Sequence, residues 1–308
     1  MKTKTSNKTS TAIVIFLASS FGSISTVSAA YSPTASAFLF APEAKQSLAT
    51  KRDILEEKHQ QIEFEALAAV TGAQNALMAL KKNDSKRAFV LLTDATKQLN
   101  LLLAKYPQSN LIPAIIDADI LDFDSNTKQV EQLINAANDL LKDDRVQDAR
   151  QLLDQLVSEV HVTTISVPLG SFSMGVKDAA YFASTGNVDK AEDVLYEVLN
   201  RLVKTREILP LPVLKAEGLL KEASKLEHTN IGAQEASRTE ITKLFDAAKE
   251  KIKYAQMLGY GGKNDYLGLY DAIDDMKKVI FTKNSADAWN KITTTISGLK
   301  DKLTRLKK

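Results

Sequence analysis

"GNVDKAEDVLYEVLNRLVKTREILP", Gly186 to Pro210, is the stretch whose reading decides the fold. A turn dipeptide opens it, Ala191 follows, then apolar residues recur at helical spacing, and Pro210 closes it. Two other stretches share the layout. "NDSKRAFVLLTDATKQLNLLLAKYP", Asn83 to Pro107, carries Ala88, and "DRVQDARQLLDQLVSEVHVTTISVP", Asp144 to Pro168, carries Ala149. Five residues before each Ala stands Asn83, Asp144 or Gly186, all turn or cap types. Four residues after it stands Leu92, Leu153 or Leu195, and eleven after it Leu99, Val160 or Leu202. Nineteen after it stands Pro107, Pro168 or Pro210.

The agreement has a physical meaning. The turn residue starts a helix, the small Ala lets a neighbouring helix approach, and the later apolar residues form a buried stripe. The Pro ends the helix or begins an extended segment. The unit is a helical hairpin of tetratricopeptide-like packing. The copies stand 61 and 42 residues apart, so a solenoid of fixed period is excluded. The fold class expected is all-α, with irregularly stacked helical hairpins and at most two short extended segments. Those segments are "LIPAIIDADILDFDSN", Leu111 to Asn126, and the β-branched "HVTTISVPLGSF", His161 to Phe172, which would pair. Glu43 to Leu80 reads as one long helix or as two broken near Gly72. Four further helical patterns follow Pro210, with Asn264 and Ser285 as candidate N-caps.

The 308 residues include no Cys and only three His. Disulfides, a lipid-bearing thiol and cysteine nucleophiles are thereby excluded. Residues 1–29 read as a signal peptide. Lys2, Lys4 and Lys8 precede the short apolar run Thr11 to Gly22, and Val27 and Ala29 fit a cleavage site. The run is too short for a comfortable membrane span. Losing those three Lys turns the formal charge of +2 into about −1, and a near-neutral surface argues against nucleic acid. Residues 30–41 read as an N-terminal arm, and 42–308 as a single helical domain. The compartment expected is the periplasm, with secretion as the alternative.

Five stretches, taken together, resemble the YfdX protein family of bacteria. They are "ALKKNDSKRAFVLLTDATKQLNLLLAKYP", "LLKDDRVQDARQLLDQLVSEVHVTTISVPL", "ASTGNVDKAEDVLYEVLNRLV", "LPLPVLKAEGLL" and "AQMLGYGGKNDYLGLYDAI". The resemblance covers roughly Glu43 to Phe281. It implies a mainly helical, exported, oligomeric protein linked to stress such as acid or drug exposure. It brings no catalytic motif and no cofactor. The segment from Phe281 to Lys308 departs from the family's pattern.

The chemistry legible in the residues is sparse. His59, His161 and His228 are far apart, and no HExxH or GxSxG stretch occurs. No catalytic or metal-ligating set is therefore assigned. "YGGK", Tyr260 to Lys263, reads as a helix stop rather than a phosphate loop. Asp117, Asp119, Asp122 and Asp124 could hold an ion, but their alternation fits the wet face of a strand better. Tyr260, Tyr266, Tyr270 and Trp289 are candidates for an aromatic ligand groove, with core packing the commoner role of such residues. His161, Asp117 and Asp119 are candidate pH-sensitive residues. The function expected is a non-enzymatic, periplasmic stress-response protein. It would form a homo-oligomer and bind or protect client proteins, with no stable membrane insertion. The alternative is a binder of small amphiphiles or antibiotics.

Overall fold

Asn83, Asp144 and Gly186 all adopt left-handed backbone, with φ of 57°, 56° and 74°. Asn, Asp and Gly enter this region most readily, so the three copies share one turn. The computed structural model describes residues 42–123, 125–229 and 234–307. Each turn joins two antiparallel helices, and each hairpin is followed by a strand. The first unit is α2 (Phe64–Leu80), α3 (Ser85–Lys105) and β1 (Leu111–Asp122). The second is α4 (Thr127–Lys142), α5 (Val146–Leu153) and β2 (Ser158–Pro168). The third is α6 (Leu169–Ser184), α7 (Val188–Asn200) and β3 (Val203–Pro210). Before them comes α1 (Pro42–His59), and after them α8 (Leu211–Thr229), α9 (Gln234–Met257), α10 (Lys263–Val279), α11 (Ser285–Leu303) and β4 (Arg305–Lys307).

Local chemistry fixes the helix starts. The side chains of Asp84 and Asn187 accept from the backbone N–H of Arg87 and Lys190. Asn126 and Gln129 form a reciprocal capping box at α4. Ala88, Ala149 and Ala191 are all fully buried, as the close-packing argument requires. The alignment also extends backwards. Ala76, Ala137 and Ala179, each twelve residues before the repeat Ala, are buried on the first helix of their hairpins.

Hairpins one and three pack on each other. α3 meets α6 and α2 meets α7, closing a four-helix bundle. Its core holds Leu80, Leu92, Leu99, Phe172, Val176 and Leu195. Gly72 and Gly175 occupy one repeat position and let the two helices of each hairpin approach. A Cβ on Gly72 would lie 3.2 Å from Ala95 Cβ, and one on Gly175 would lie 2.1 Å from Val198 Cγ2. The second hairpin carries Leu133 at that position. It packs on α9 through Val130, Leu156 and Tyr254.

The strands form one antiparallel sheet in the order β1-β2-β3-β4. Pro113 is tolerated because β1 is an edge strand, and the pairing slips beside it. One face of the sheet, with Ile116, Ala118, Val160 and Val162, packs under Ile54 of α1 and Leu211 and Leu214 of α8. The ion pair Lys58–Glu207, 2.8 Å long, ties α1 to β3 on this face. A second bundle, α8 to α11, has its own core around Ile241, Phe245, Ile252, Tyr266, Ile273 and Ile296.

The chain is mostly helical, as expected, and 111–126 and 161–172 do contain paired strands. The extended part is larger than two short segments. β1 and β2 run 12 and 11 residues, and β3 adds 8. Pro168 and Pro210 accordingly end strands rather than helices, and only Pro107 follows directly on a helical stretch. The repeat also loosens towards its end. Leu99 is buried in a helix and Val160 in a strand, whereas Leu202 is half-buried and Leu153 exposed. The break in 43–80 falls at residues 60–63, and Gly72 sits inside α2. The N-caps of α10 and α11 are Gly262 and Asn284, not Asn264 and Ser285. The expected signal peptide and arm, and Asp124, lie outside the described residues.

Candidate functional site

Sheet alternation brings the candidate pH-sensitive residues onto one face. Asp119 lies directly across from His161, and Asp117 from Thr163, so Asp117, Asp119 and His161 share the face opposite α1. His161 Nε2 lies 2.8 Å from Glu159 Oε2. Glu159 is buried and also receives the guanidinium of Arg305 from β4. A buried carboxylate needs such partners, and here they come from the start of β2 and from the last strand.

A second polar chain runs beside it. Ser158 Oγ donates to Asp122 Oδ1 at 3.0 Å, and Lys215 Nζ reaches Asp122 Oδ2 at 2.8 Å. The backbone N–H of Ser158 donates to Tyr260 Oη at 2.9 Å. Burial pushes the Tyr260 phenol up, and the nearby Glu159 charge adds to this. Tyr260 is thereby held as a neutral group bridging the α9–α10 turn to the sheet. That turn is built by Gly259 and Gly261, with φ of 81° and 88°.

Of these groups, Glu159, Tyr260 and Arg305 border an open cavity of about 410 Å³, which Gly261, Asp265 and Lys302 also line. Lys302 and the backbone N–H of Gly262 hold the Asp265 carboxyl below its ordinary range. The lining thus alternates paired acids and bases. It can hold a polar or zwitterionic group by hydrogen bonds. Among the described residues, no group of three or more His, Asp or Glu is placed to hold a metal ion.

The four aromatic candidates do not line one groove. Tyr266 is fully buried in the second bundle and donates to the Tyr260 carbonyl. Trp289 is buried against Phe245, with ring centroids 5.6 Å apart, and donates its indole N–H to Glu227. Tyr270 is half-buried and donates to Gln256 at 3.1 Å. Tyr260 borders the cavity just described, while Trp289 borders a separate cleft of about 150 Å³ with Leu220 and Ile296. Core packing accounts for Tyr266 and Trp289. Sequence reasoning missed Glu159, Arg305 and Lys215, because the pairs Glu159–Arg305 and Asp122–Lys215 join residues remote in the chain.

The YfdX protein family model matches residues 69–208. A solved chain, YfdX of Salmonella Typhi, is similar at 17% identity over 49% of this chain and 93% of its own, with a TM-score of 0.35. No curated protein matches. The matched segment begins inside α2 and ends inside β3, so it spans nearly all of the three hairpins and the first strands. Asp117, Asp119, Glu159 and His161 lie within it, whereas Tyr260, Trp289 and Arg305 lie beyond it. The match is narrower than the stretch Glu43 to Phe281 over which the resemblance is read.

Proposed function

We propose that this YfdX-family chain is a non-enzymatic stress-response protein, exported to the periplasm, that oligomerises and binds or protects other proteins. Its setting is acid or drug stress, by the family's association. The observation that carries the reading is the apolar surface left on its helices. Phe64, Val146, Met174 and Tyr181 are all more than half exposed, on a chain whose acids and bases nearly balance. Apolar side chains set among paired charges suit contacts with partly unfolded or partner chains. Among the described residues, no helix is long and apolar enough to cross a membrane, so these side chains are not read as a lipid-spanning surface.

The direct experiment is the light scattering of an unfolding client enzyme, at pH 7 and pH 5, with and without this protein. The reading expects slower aggregation at one pH or both at near-equal molar ratio. Unchanged aggregation at both, with several clients, would contradict it. A second reading, a binder of small amphiphiles or antibiotics, draws on the 410 Å³ cavity beside Tyr260 and Arg305. Calorimetric titration with lipophilic antibiotics tests that reading. It expects one saturable site lost on Arg305→Ala.

A further inference from the structure

The three hairpins are copies of one unit, yet among the described residues only the first and third pack on each other. Hairpins one and three bury their aligned apolar positions in a shared core. Leu80 and Leu92 of the first are 0% exposed, and Ala183 and Leu195 of the third are 3% and 0% exposed. The aligned residues of the second hairpin are Leu141 and Leu153, at 43% and 44% exposure. Val146, aligned with the half-buried Val188, is 54% exposed. Val146 and Leu153 are seven residues apart on α5 and so share a face. Leu141 lies in the last turn of α4, just before the turn into α5. Among the described residues, the main contact of this hairpin outside itself is α9, which covers Val130 and Leu156 and leaves this row open.

We infer that a second copy of this chain covers the row. The α4–α5 hairpins of two chains pack across a twofold axis into a four-helix bundle, as hairpins one and three do within one chain. The inference rests on the oligomeric reading above and names its surface. Two observations favour this occupant. One hairpin of this repeat already packs on another, copy one on copy three. A twofold interface asks the same pairing of two identical copies. The outer face of α4 also carries an open hollow lined by Asn135, Asn138 and Leu141, among others, which can receive a side chain from a facing helix.

A competing apolar stripe lies on α3, where Val90 and Leu101 are exposed. It has no counterpart in the repeat, since Gln151 and Asp193 align with Val90. It serves as the control. The test is sedimentation velocity of the protein purified from cells, across a concentration series. The Val146→Glu/Leu153→Glu variant is expected to weaken self-association at least tenfold. Val90→Glu/Leu101→Glu is expected to change it less than twofold. A wild-type protein that is monomeric at every concentration would overturn the oligomeric reading and this inference with it. An associating wild type that the first variant leaves unchanged, or that only the second disrupts, would overturn this inference alone. Should the first variant fail to fold by circular dichroism, Leu153→Cys replaces it. The native chain has no Cys, so a bis-maleimide reagent should link Leu153→Cys into dimers and leave Val90→Cys as monomer. The reverse pattern would overturn the inference.

Discussion

The carboxylate of Glu227 accepts a hydrogen bond from the indole N–H of Trp289, inside the seam between α8 and α11. Its other oxygen accepts from the backbone N–H of Phe281 at 2.6 Å. Phe281 itself has φ of 61°, an unusual conformation for an aromatic residue. One buried acid therefore holds both the tryptophan and the turn between α10 and α11. Glu227→Ala would strand two donors, at a cost of about 2–4 kcal/mol in urea unfolding. Glu227→Gln, which keeps an acceptor oxygen, should cost clearly less. Equal costs for the two variants would mean that packing, not hydrogen bonding, holds this seam.

The approach of α6 to α7 depends on Gly175. A methyl group there would overlap Val198 Cγ2, and a helical Val has essentially one rotamer. Gly175→Ala should therefore destabilise the chain by about 1–3 kcal/mol, although Ala is the better helix former. Adding Val198→Ala should restore part of the loss. Additive losses in the double variant would show that the two residues do not meet.

The left-handed turns give a sharper test of the repeat. Asn83→Ala and Asp144→Ala each place a Cβ-bearing residue of poorer αL tolerance at positive φ, costing about 1 kcal/mol. Asn83→Gly and Asp144→Gly should be neutral or stabilising at the same positions. Thermal melts of the four variants distinguish these outcomes. A Gly variant that loses as much as its Ala counterpart would show that the side chain, rather than the backbone, matters there.

Glu217 supplies a pH dependence of known sign. Burial alone would raise its carboxyl, but Lys300 at 2.7 Å and Lys221 at 2.9 Å outweigh this and hold it below the ordinary value of 4.5. A depressed folded-state pKa contributes stability above the unfolded value, and that stability is lost as pH falls through the folded one. Glu217→Gln should thus melt lower than the native chain at pH 7, and the gap should close below pH 4.5. A gap that persists undiminished at pH 3 would contradict the assignment.

Much of the helical frame was legible because its residue types are forced. Positive φ demands Asn83, Asp144 or Gly186, and close packing demands Ala88, Ala149 and Ala191. The sheet was less legible. "VKTREILP" in β3 carries helix-forming Lys, Arg, Glu and Leu, and it is extended because β2 lies beside it. That pairing is a tertiary effect which no local pattern records. The candidate site was nearly silent for the same reason. Glu159 and Arg305 meet across 146 residues of chain. Trp289 and Tyr266 carried a signal of the wrong kind, since a buried aromatic and a pocket aromatic look alike in sequence. The exposed row on α4–α5 was readable only as ordinary amphipathic pattern until its sister hairpins were seen to be covered.

Native mass spectrometry of the protein taken from its own cells, near pH 7 and near pH 5, tests the central claim most directly. The account predicts subunits of bare polypeptide mass assembled in even-numbered oligomers at one pH or both. Monomers at both pH values, each carrying a constant extra mass, would contradict it and make the chain a small-molecule binder.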